Sequence, residues 1–221
     1  MKIIRLGILG CANIVEKQII SALKEVESCT LVAIASREAS KAKVWAERFD
    51  CEYEQSYESL LSRVDIDAVY IPLPVGLHKE WVITAAKARK HILCEKSLAE
   101  SYSAVQEMVA VCQKMKVHLF ENFMCNYHPQ HEKVISLIKN DGIGRVVQFR
   151  GTFGFPPLNE NNIRYNFKLG RGALNDAGTY PLFMSRKLFH DEPEKVTCRL
   201  YNQNKEVDVQ GTALLEFPND R

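Results

Sequence analysis

Two short stretches of the sequence combine residue types that can move a proton. Glu95 and Lys96 follow an apolar run, and Asp176 stands four residues before Tyr180 in a helical pattern. Residues at positions i and i+4 share one face of a helix, so the Asp176 carboxylate and the Tyr180 phenol can reach one ligand. A tyrosine can donate a proton to a carbonyl oxygen, an aspartate can orient a hydroxyl, and a lysine in a cleft can exchange a proton near neutrality. Outside a cleft, Glu95-Lys96 would be an ordinary surface dipeptide. Asp176 and Tyr180 would then belong to an ordinary capped helix.

A third stretch has the form of a phosphate-binding turn. The apolar run over residues 3–9 stops at Gly10, and a helical pattern follows. Glycine allows a tight bend and a close approach of backbone N–H groups to a pyrophosphate at a helix N-terminus. Only the first glycine of the usual dinucleotide pattern is present, and its place at the start of alternating strands and helices strengthens the prediction. The cofactor contacts predicted here are Gly10, Cys11, Ala12, Asn13 and Ile14.

The residues that end the second apolar run indicate which dinucleotide is bound. NAD sites place Asp or Glu here to bind the ribose 2′-hydroxyl, and such a carboxylate would repel a 2′-phosphate. This sequence has Ser36 and Arg37 instead, with Lys41 four residues further on. A hydroxyl and a guanidinium fork both suit a phosphate. The sequence therefore favours NADP over NAD, although the same residues also fit a solvated helix start.

Apolar runs alternate with amphipathic segments up to about Asn122. Strands are predicted over residues 3–9, 31–35, 51–53, 68–71, 91–94 and 117–120, and helical spacing of apolar residues separates them. This alternation predicts an α/β fold with a doubly wound parallel sheet, in which ligands lie outside the carboxyl ends of the strands. Because Lys96 follows the fifth strand, we expect it at the nicotinamide end of the cofactor.

The pattern changes after Asn122. A helix is predicted over 134–138, a strand over 146–153, a polar loop over 154–172, a helix over 173–187, and strands over 196–201 and 207–217. This order predicts an incomplete α+β domain with a mainly antiparallel open sheet. We therefore expect a Rossmann domain at residues 1–122 and the N-terminal part of a substrate and oligomerisation domain at 123–221. The last run has the character of an interior strand without a return strand, so we expect a fragment of a longer protein or an edge that a partner covers.

The composition narrows the class of protein. The 221 residues carry 29 basic and 27 acidic side chains without a basic block, which gives no support for nucleic acid or an anionic membrane as a partner. No apolar stretch approaches the roughly 20 residues that cross a bilayer. The seven cysteines are widely spaced and odd in number, which favours reduced thiols in a cytoplasm. The six histidines lack a metal-ligand pattern, so no metal site is predicted.

In combination, these motifs resemble the glucose–fructose oxidoreductase, inositol dehydrogenase and rhizopine-catabolism family, the Gfo/Idh/MocA oxidoreductases. The landmarks that match in order are the Gly10 turn, Ile71-Pro72-Leu73-Pro74 with Leu77-His78, Glu95-Lys96, and Gly172 through Tyr180. The resemblance implies an NADP-dependent oxidoreductase that interconverts a secondary alcohol and a ketone on a sugar or sugar-nucleotide. It also implies a homodimer or homotetramer formed through the sheet of the second domain.

The resemblance assigns roles to particular residues. Lys96 and Tyr180 become the proton-transfer pair, in which either residue exchanges the proton while the other polarises the oxygen, and Asp176 places the substrate. The turn, Ser36-Arg37 and Tyr180 are most similar to the branch of sugar-nucleotide 3-ketoreductases, dimeric dihydrodiol dehydrogenases and NADP-dependent xylose dehydrogenases. The further cofactor contacts that the resemblance implies are Ile71, Pro72, Leu73, Leu77, His78, Glu95, Lys96, Asn122 and Arg164.

Two features depart from the family pattern. Ser97 stands where the family has proline after the lysine, which is expected to loosen the placement of Lys96, and Ala12 and Val15 replace small residues often seen in the turn. Together with the expected missing end of the chain, these departures support an alternative, an NADP(H)-binding paralogue or sensor with impaired catalysis. A further alternative is a nucleotide-binding transferase built on the same α/β half, against which Lys96 and Tyr180 argue. Cofactor binding without turnover would indicate the first, and failure to bind nicotinamide cofactors the second.

Overall fold

A computed structural model of the chain describes residues 2–219 and 221. Its backbone contacts group residues 1–122 into a first unit and residues 123–221 into a second unit. No helix in the described part of the chain is long and apolar enough to cross a membrane.

The first unit contains a six-stranded sheet in which all neighbouring strands are parallel. The strands are β1 (Ile4–Leu9), β2 (Cys29–Ala35), β3 (Glu52–Glu54), β4 (Ala68–Ile71), β5 (His91–Glu95) and β6 (Leu119–Asn122). They lie in the order β3-β2-β1-β4-β5-β6. This order changes direction between β1 and β4, and dinucleotides bind at such a switch point. The predicted doubly wound α/β fold is confirmed.

Helices cover both faces of this sheet. They are α1 (Ile20–Lys24), which continues a π-helical segment over Val15–Ile19, α2 (Ala39–Phe49), α3 (Tyr57–Ser62), α4 (Val75–Lys87) and α5 (Tyr102–Met115). Successive strand residues point to opposite faces. Accordingly, Leu9 and Ile71 pack in a core with apolar residues of α3, α4 and α5, while Ile8 and Tyr70 pack in a second core with residues of α1 and α2. Because both faces are buried, β4 is apolar throughout and β1 is apolar over residues 6–9.

The sixth strand begins two residues later than the sequence predicts. Lys116 takes a left-handed conformation with φ +58°, and the Val117 N–H donates to the Cys112 carbonyl. This is a helix-ending arrangement, so Val117 lies in the turn that follows α5. The shift brings Asn122 into β6, opposite Glu95 of β5.

The second unit combines helices with a two-stranded antiparallel sheet. Its elements are α6 (Pro129–Lys139), a π-helical segment over Leu174–Gly178 that leads into α7 (Thr179–Phe189), β7 (Lys195–Tyr201) and β8 (Gln210–Glu216). Helix α6 begins earlier than predicted because the His128 side chain accepts from the Gln130 N–H and Pro129 suits the first helical position.

The strand predicted over residues 146–153 is absent from the structure. The alternation of side chains that suggested it is present, but a strand also needs a neighbour for its hydrogen-bond ladder. Within the described residues of this unit, β7 and β8 pair only with each other. Val147 and Phe153 are consequently 62% and 51% exposed.

Candidate active site

The turn after β1 requires glycine at its first position. Gly10 has φ +123°, which L-residues rarely adopt, and its N–H donates to the Ala35 carbonyl at 2.8 Å. A Cβ atom at Gly10 would lie 2.9 Å from Cδ2 of Leu73. The turn and the loop after β4 therefore lie in direct contact. Helical hydrogen bonding begins at once, since the Val15 N–H donates to the Ala12 carbonyl.

Polar groups gather at the carboxyl ends of β1 and β2. Ser36 is buried, and its hydroxyl accepts from the Glu38 N–H at 3.3 Å. Burial raises the pKa of the Cys11 thiol, and the Lys41 ammonium and the Ser36 hydroxyl partly offset that rise. The structure thus brings together Cys11, Ser36 and Lys41, which the sequence predicts as cofactor contacts.

Tyr57 joins this cluster, although sequence analysis did not predict it as a site residue. Burial raises the pKa of Tyr57, and the charge and backbone N–H of Arg37 oppose that rise. Its phenol oxygen would be 3.7 Å from a Cβ at Gly10. Tyr57 opens α3 behind the Ser56 cap, and only the parallel pairing of the strands brings it next to the turn. No local sequence signal identifies such a residue.

Glu95, just before Lys96, is fixed by two donors on neighbouring strands. Its Oε1 accepts from the Tyr70 hydroxyl at 2.5 Å and from the Asn122 amide at 2.6 Å. Tyr70 is fully buried, and burial followed by the Glu95 charge raises the pKa of its phenol well above the usual range. The carboxylate consequently has a fixed orientation at the carboxyl ends of β4, β5 and β6.

The backbone after Lys96 is held from two sides. The Ser97 carbonyl lies 2.9 Å from Nδ1 of His78, and the Leu98 N–H donates to Oε1 of Glu121 at 2.8 Å. The Lys96–Ser97 peptide bond is cis. Side chains from α4 and β6 thus restrain the segment that the absence of proline was expected to loosen.

His78 itself has no solvent exposure, and its Nε2 lies 2.7 Å from the Leu73 carbonyl. Burial lowers the pKa of His78, and the carbonyls of Leu73 and Ser97 oppose that shift. Because both ring nitrogens face backbone carbonyls, direct contact between His78 and a cofactor stays a prediction.

In the second unit, Asp176 lies in the π-helical segment just before α7. Its Oδ2 accepts from Nε of Arg164 at 2.5 Å, and the Arg164 guanidinium lies 5.8 Å from the ring centre of Phe155. One π-helical segment contains Asp176, and the other directly follows the predicted contacts of the Gly10 turn. π-bulges are frequent at functional sites. Arg164, which the resemblance implies as a cofactor contact, here pairs with Asp176.

The Tyr180 ring lies among aromatic side chains. Its centre is 4.7 Å from that of Phe153 and 5.3 Å from that of Phe123. Asp208 fixes the start of the same helical segment, because its carboxylate accepts from the Leu174 N–H at 2.6 Å. The contact spans 34 residues, so sequence spacing could not reveal it.

Metal ligands do not gather anywhere in the part of the chain that the structure describes. The seven cysteines are free thiols.

Comparison with known proteins agrees with this geometry. A family model described as "Oxidoreductase family, NAD-binding Rossmann fold" matches residues 4–123, more than half of the chain. The chain belongs to the Gfo/Idh/MocA oxidoreductase family. The model of the GFO/IDH/MocA C-terminal domain matches residues 131–221.

Several members of the family are similar over nearly the whole chain. A dTDP-3,4-didehydro-2,6-dideoxy-alpha-D-glucose 3-reductase of Saccharopolyspora spinosa is 38% identical over 97% of the chain and 65% of its own length. D-xylose 1-dehydrogenase (NADP(+)) 2 of Haloferax volcanii is 36% identical over 96% of the chain and 65% of its own length. The crystal structure of KijD10, a 3-ketoreductase from Actinomadura kijaniata in complex with NADP and TDP-benzene, superposes with a TM-score of 0.95 at 37% identity, covering 99% of the chain and 68% of KijD10. The chain thus spans about two thirds of these relatives.

Proposed function

We propose that the protein is an NADP-dependent oxidoreductase that interconverts a secondary alcohol and a ketone on a sugar or sugar-nucleotide. The observation that carries this proposal is the arrangement of the first unit's sheet. The Gly10 turn, the Ser36-Arg37 end of β2 and the Glu95-Lys96 end of β5 all lie at the carboxyl ends of parallel strands. This is the edge of an α/β sheet at which dinucleotides bind.

The residues at this edge fit NADP. The positive φ at Gly10 and the close approach of Leu73 leave no room for a side chain, as a turn that cradles a pyrophosphate requires. Residues 35–37, at the end of β2, include no carboxylate to repel a 2′-phosphate, and Arg37 and Lys41 supply positive charge. Ser36, Arg37 and Lys41 would hold the 2′-phosphate, and the backbone of residues 10–14 would hold the pyrophosphate.

The chemistry divides between the cofactor and side chains of the chain. When bound, the nicotinamide ring supplies or accepts the hydride. Lys96 holds and moves the proton at the substrate hydroxyl oxygen, and Tyr180 donates a hydrogen bond to that oxygen, or the two residues act in the opposite order. Asp176, oriented by Arg164, accepts from a neighbouring substrate hydroxyl.

The named relatives support the substrate class. The Saccharopolyspora enzyme is a reductase of a dTDP-bound keto sugar, KijD10 binds TDP-benzene beside NADP, and the Haloferax enzyme is a xylose dehydrogenase. Oligomerisation through the sheet of the second unit stays a prediction, for which the exposure of Val196 and Leu200 on one face of β7 provides support.

Cofactor titration followed by turnover assays tests the proposal. We expect quenching of protein fluorescence by NADPH at lower concentration than by NADH, and turnover with one of a panel of sugars and sugar-nucleotides. Arg37→Ala should weaken NADPH binding selectively, whereas Lys43→Ala, which removes a charge from an exposed position of α2, should not. Equal or tighter NADH binding would contradict the NADP assignment, and NADPH binding without turnover on the whole panel would favour the paralogue or sensor.

A further inference from the structure

His78 connects two loops that the proposed function assigns to different tasks. It lies near the start of α4, with Nε2 2.7 Å from the carbonyl of Leu73 and Nδ1 2.9 Å from the carbonyl of Ser97. Leu73 belongs to the loop after β4, and Ser97 follows Lys96 after β5. One fully buried ring therefore spans the gap between two adjacent strand ends.

The number of protons on the His78 ring determines whether it donates to one or to both of these carbonyls. Carbonyl oxygens only accept hydrogen bonds, and a neutral imidazole has one N–H. The neutral ring donates to one of the two loops, and the doubly protonated ring donates to both. Burial and the N-terminus of α4 disfavour the charged ring, whereas the nearby Glu95 carboxylate favours it.

Leu73 extends this connection to the phosphate-binding turn. Its carbonyl faces His78, while its Cδ2 occupies the space beside Gly10, 2.9 Å from where a Cβ would lie. A continuous series of contacts therefore runs from the turn through Leu73 and His78 to the carbonyl of the residue after Lys96. The Leu98 N–H, held by Glu121, restrains the same segment from the β6 side.

We propose that His78 is a positioning residue that couples the placement of Lys96 to the phosphate-binding turn, acting through Leu73 and the Ser97 carbonyl. The role of Lys96 in this statement rests on the proposed function. His78 itself donates no proton to substrate and contacts no reacting atom. Its loss frees the backbone at Ser97, and the Lys96 amine then samples orientations that are unproductive.

His78→Phe removes both ring nitrogens and keeps a planar ring, and His78→Gln restores one donor. His91→Phe is the matched control, because His91 is an exposed histidine at the opposite end of β5. Since small misplacements of reacting groups are costly, we expect His78→Phe to lower kcat about 10²-fold while the Kd for NADPH changes less than about threefold. His78→Gln should recover part of the loss, and His91→Phe should retain wild-type kcat.

A measurement on the chain without cofactor separates this proposal from the proposed function. Lysines are reductively methylated with ¹³C-formaldehyde, and the Lys96 signal is assigned by its disappearance in Lys96→Arg. In wild type and His91→Phe we expect a Lys96 signal displaced from those of solvent-exposed lysines, and in His78→Phe a signal moved to their position. His78→Gln serves for the same comparison if His78→Phe does not fold.

The outcomes have distinct meanings. A Lys96 signal that is the same in wild type and in the folded His78 variants overturns the positioning role. Wild-type kcat in His78→Phe overturns it as well. A wild-type chain without any turnover contradicts the proposed function, while the shift of the Lys96 signal still supports the coupling of the loop to His78.

Discussion

Arg164 and Asp176 form an ion pair in the second unit, with Nε of the arginine 2.5 Å from Oδ2 of the aspartate. The Asp176 side chain is 17% exposed and that of Arg164 is 43% exposed. The guanidinium turns the carboxylate in one direction. In the proposed function, Asp176 is therefore suited to accept a hydrogen bond from a substrate hydroxyl.

Arg164→Ala is expected to raise the KM for the sugar substrate about tenfold, since about 1.4 kcal/mol of positioning is lost, and to leave the Kd for NADPH unchanged. Steady-state kinetics and fluorescence titration measure the two quantities. Arg186→Ala is the control, because Arg186 lies on α7 and its exposed ion pair with Glu192 is lost. This variant should change neither the sugar KM nor the Kd for NADPH. Weaker NADPH binding at an unchanged sugar KM would show instead that Arg164 contacts the cofactor, as the resemblance implies.

Lys96→Ala is expected to remove most of kcat, by about 10²- to 10⁴-fold, as loss of a positioned acid–base group does. NADPH binding should be largely retained, because the Gly10 turn and the Ser36-Arg37 segment are unchanged. Lys114→Ala, at an exposed position of α5, supplies the control for removal of one positive charge. Unchanged turnover in Lys96→Ala would refute the catalytic role of this residue.

Tyr70→Phe tests whether the Glu95 network stabilises the first unit. The buried phenol donates to Glu95 at 2.5 Å, so its removal should lower the free energy of unfolding by about 1.5–3 kcal/mol, the range for a hydrogen bond to a charged group. Urea denaturation provides the measurement. Tyr53→Phe, on the partly exposed strand β3, should lie within about 0.5 kcal/mol of wild type. Equal stability of the two variants would show that water replaces the phenol at Glu95.

The sequence predicts most of the first unit because its signals are local. β4 occurs at Ala68–Ile71 as predicted, since a fully buried parallel strand is a continuous apolar run that Pro72 ends. Tyr57 and Asp208 could not be predicted as site residues, because their contacts at the site are with residues distant in sequence. The strand predicted over residues 146–153 is absent because alternation of polar and apolar side chains identifies a segment suited to a strand. It does not identify the neighbouring strand with which that segment must pair.

Asp67 predicts a defined pH dependence of stability. It accepts from the backbone N–H and guanidinium of Arg5, and this hydrogen bonding holds the pKa of Asp67 well below its usual range. Because the unfolded chain binds the proton more readily, the stabilisation is fully present above the unfolded pKa of about 3.9 and is lost as pH falls through the folded pKa.

Asp67→Asn should therefore have a lower Tm than wild type at neutral pH. The Tm difference between the two proteins should become progressively smaller below about pH 4. Thermal unfolding between neutral and strongly acid pH measures the effect. Asp50→Asn, at an exposed position that ends α2, controls for removal of one negative charge. A Tm difference between Asp67→Asn and wild type that is constant across the whole pH range would contradict the assignment.

Gly10→Ala tests the turn on which the cofactor site depends. The added methyl group would meet Cδ2 of Leu73 at 2.9 Å, and φ +123° is unfavourable for alanine whatever the space. The combined cost should be about 1–3 kcal/mol, with NADPH affinity lowered because the backbone N–H groups are displaced. Gly154→Ala is the matched control, since no atom lies within 4 Å of its added Cβ.

A second substitution separates the two causes of that cost. Leu73→Ala removes the obstructing methyl groups, so Gly10→Ala with Leu73→Ala should regain only the part of the loss that comes from the contact. The part due to the backbone conformation remains, because it depends on φ alone. Differential scanning calorimetry and NADPH titration on the two single variants and the double variant give the coupling energy between the positions. NADPH affinity equal to wild type in Gly10→Ala would show that the turn does not approach the pyrophosphate.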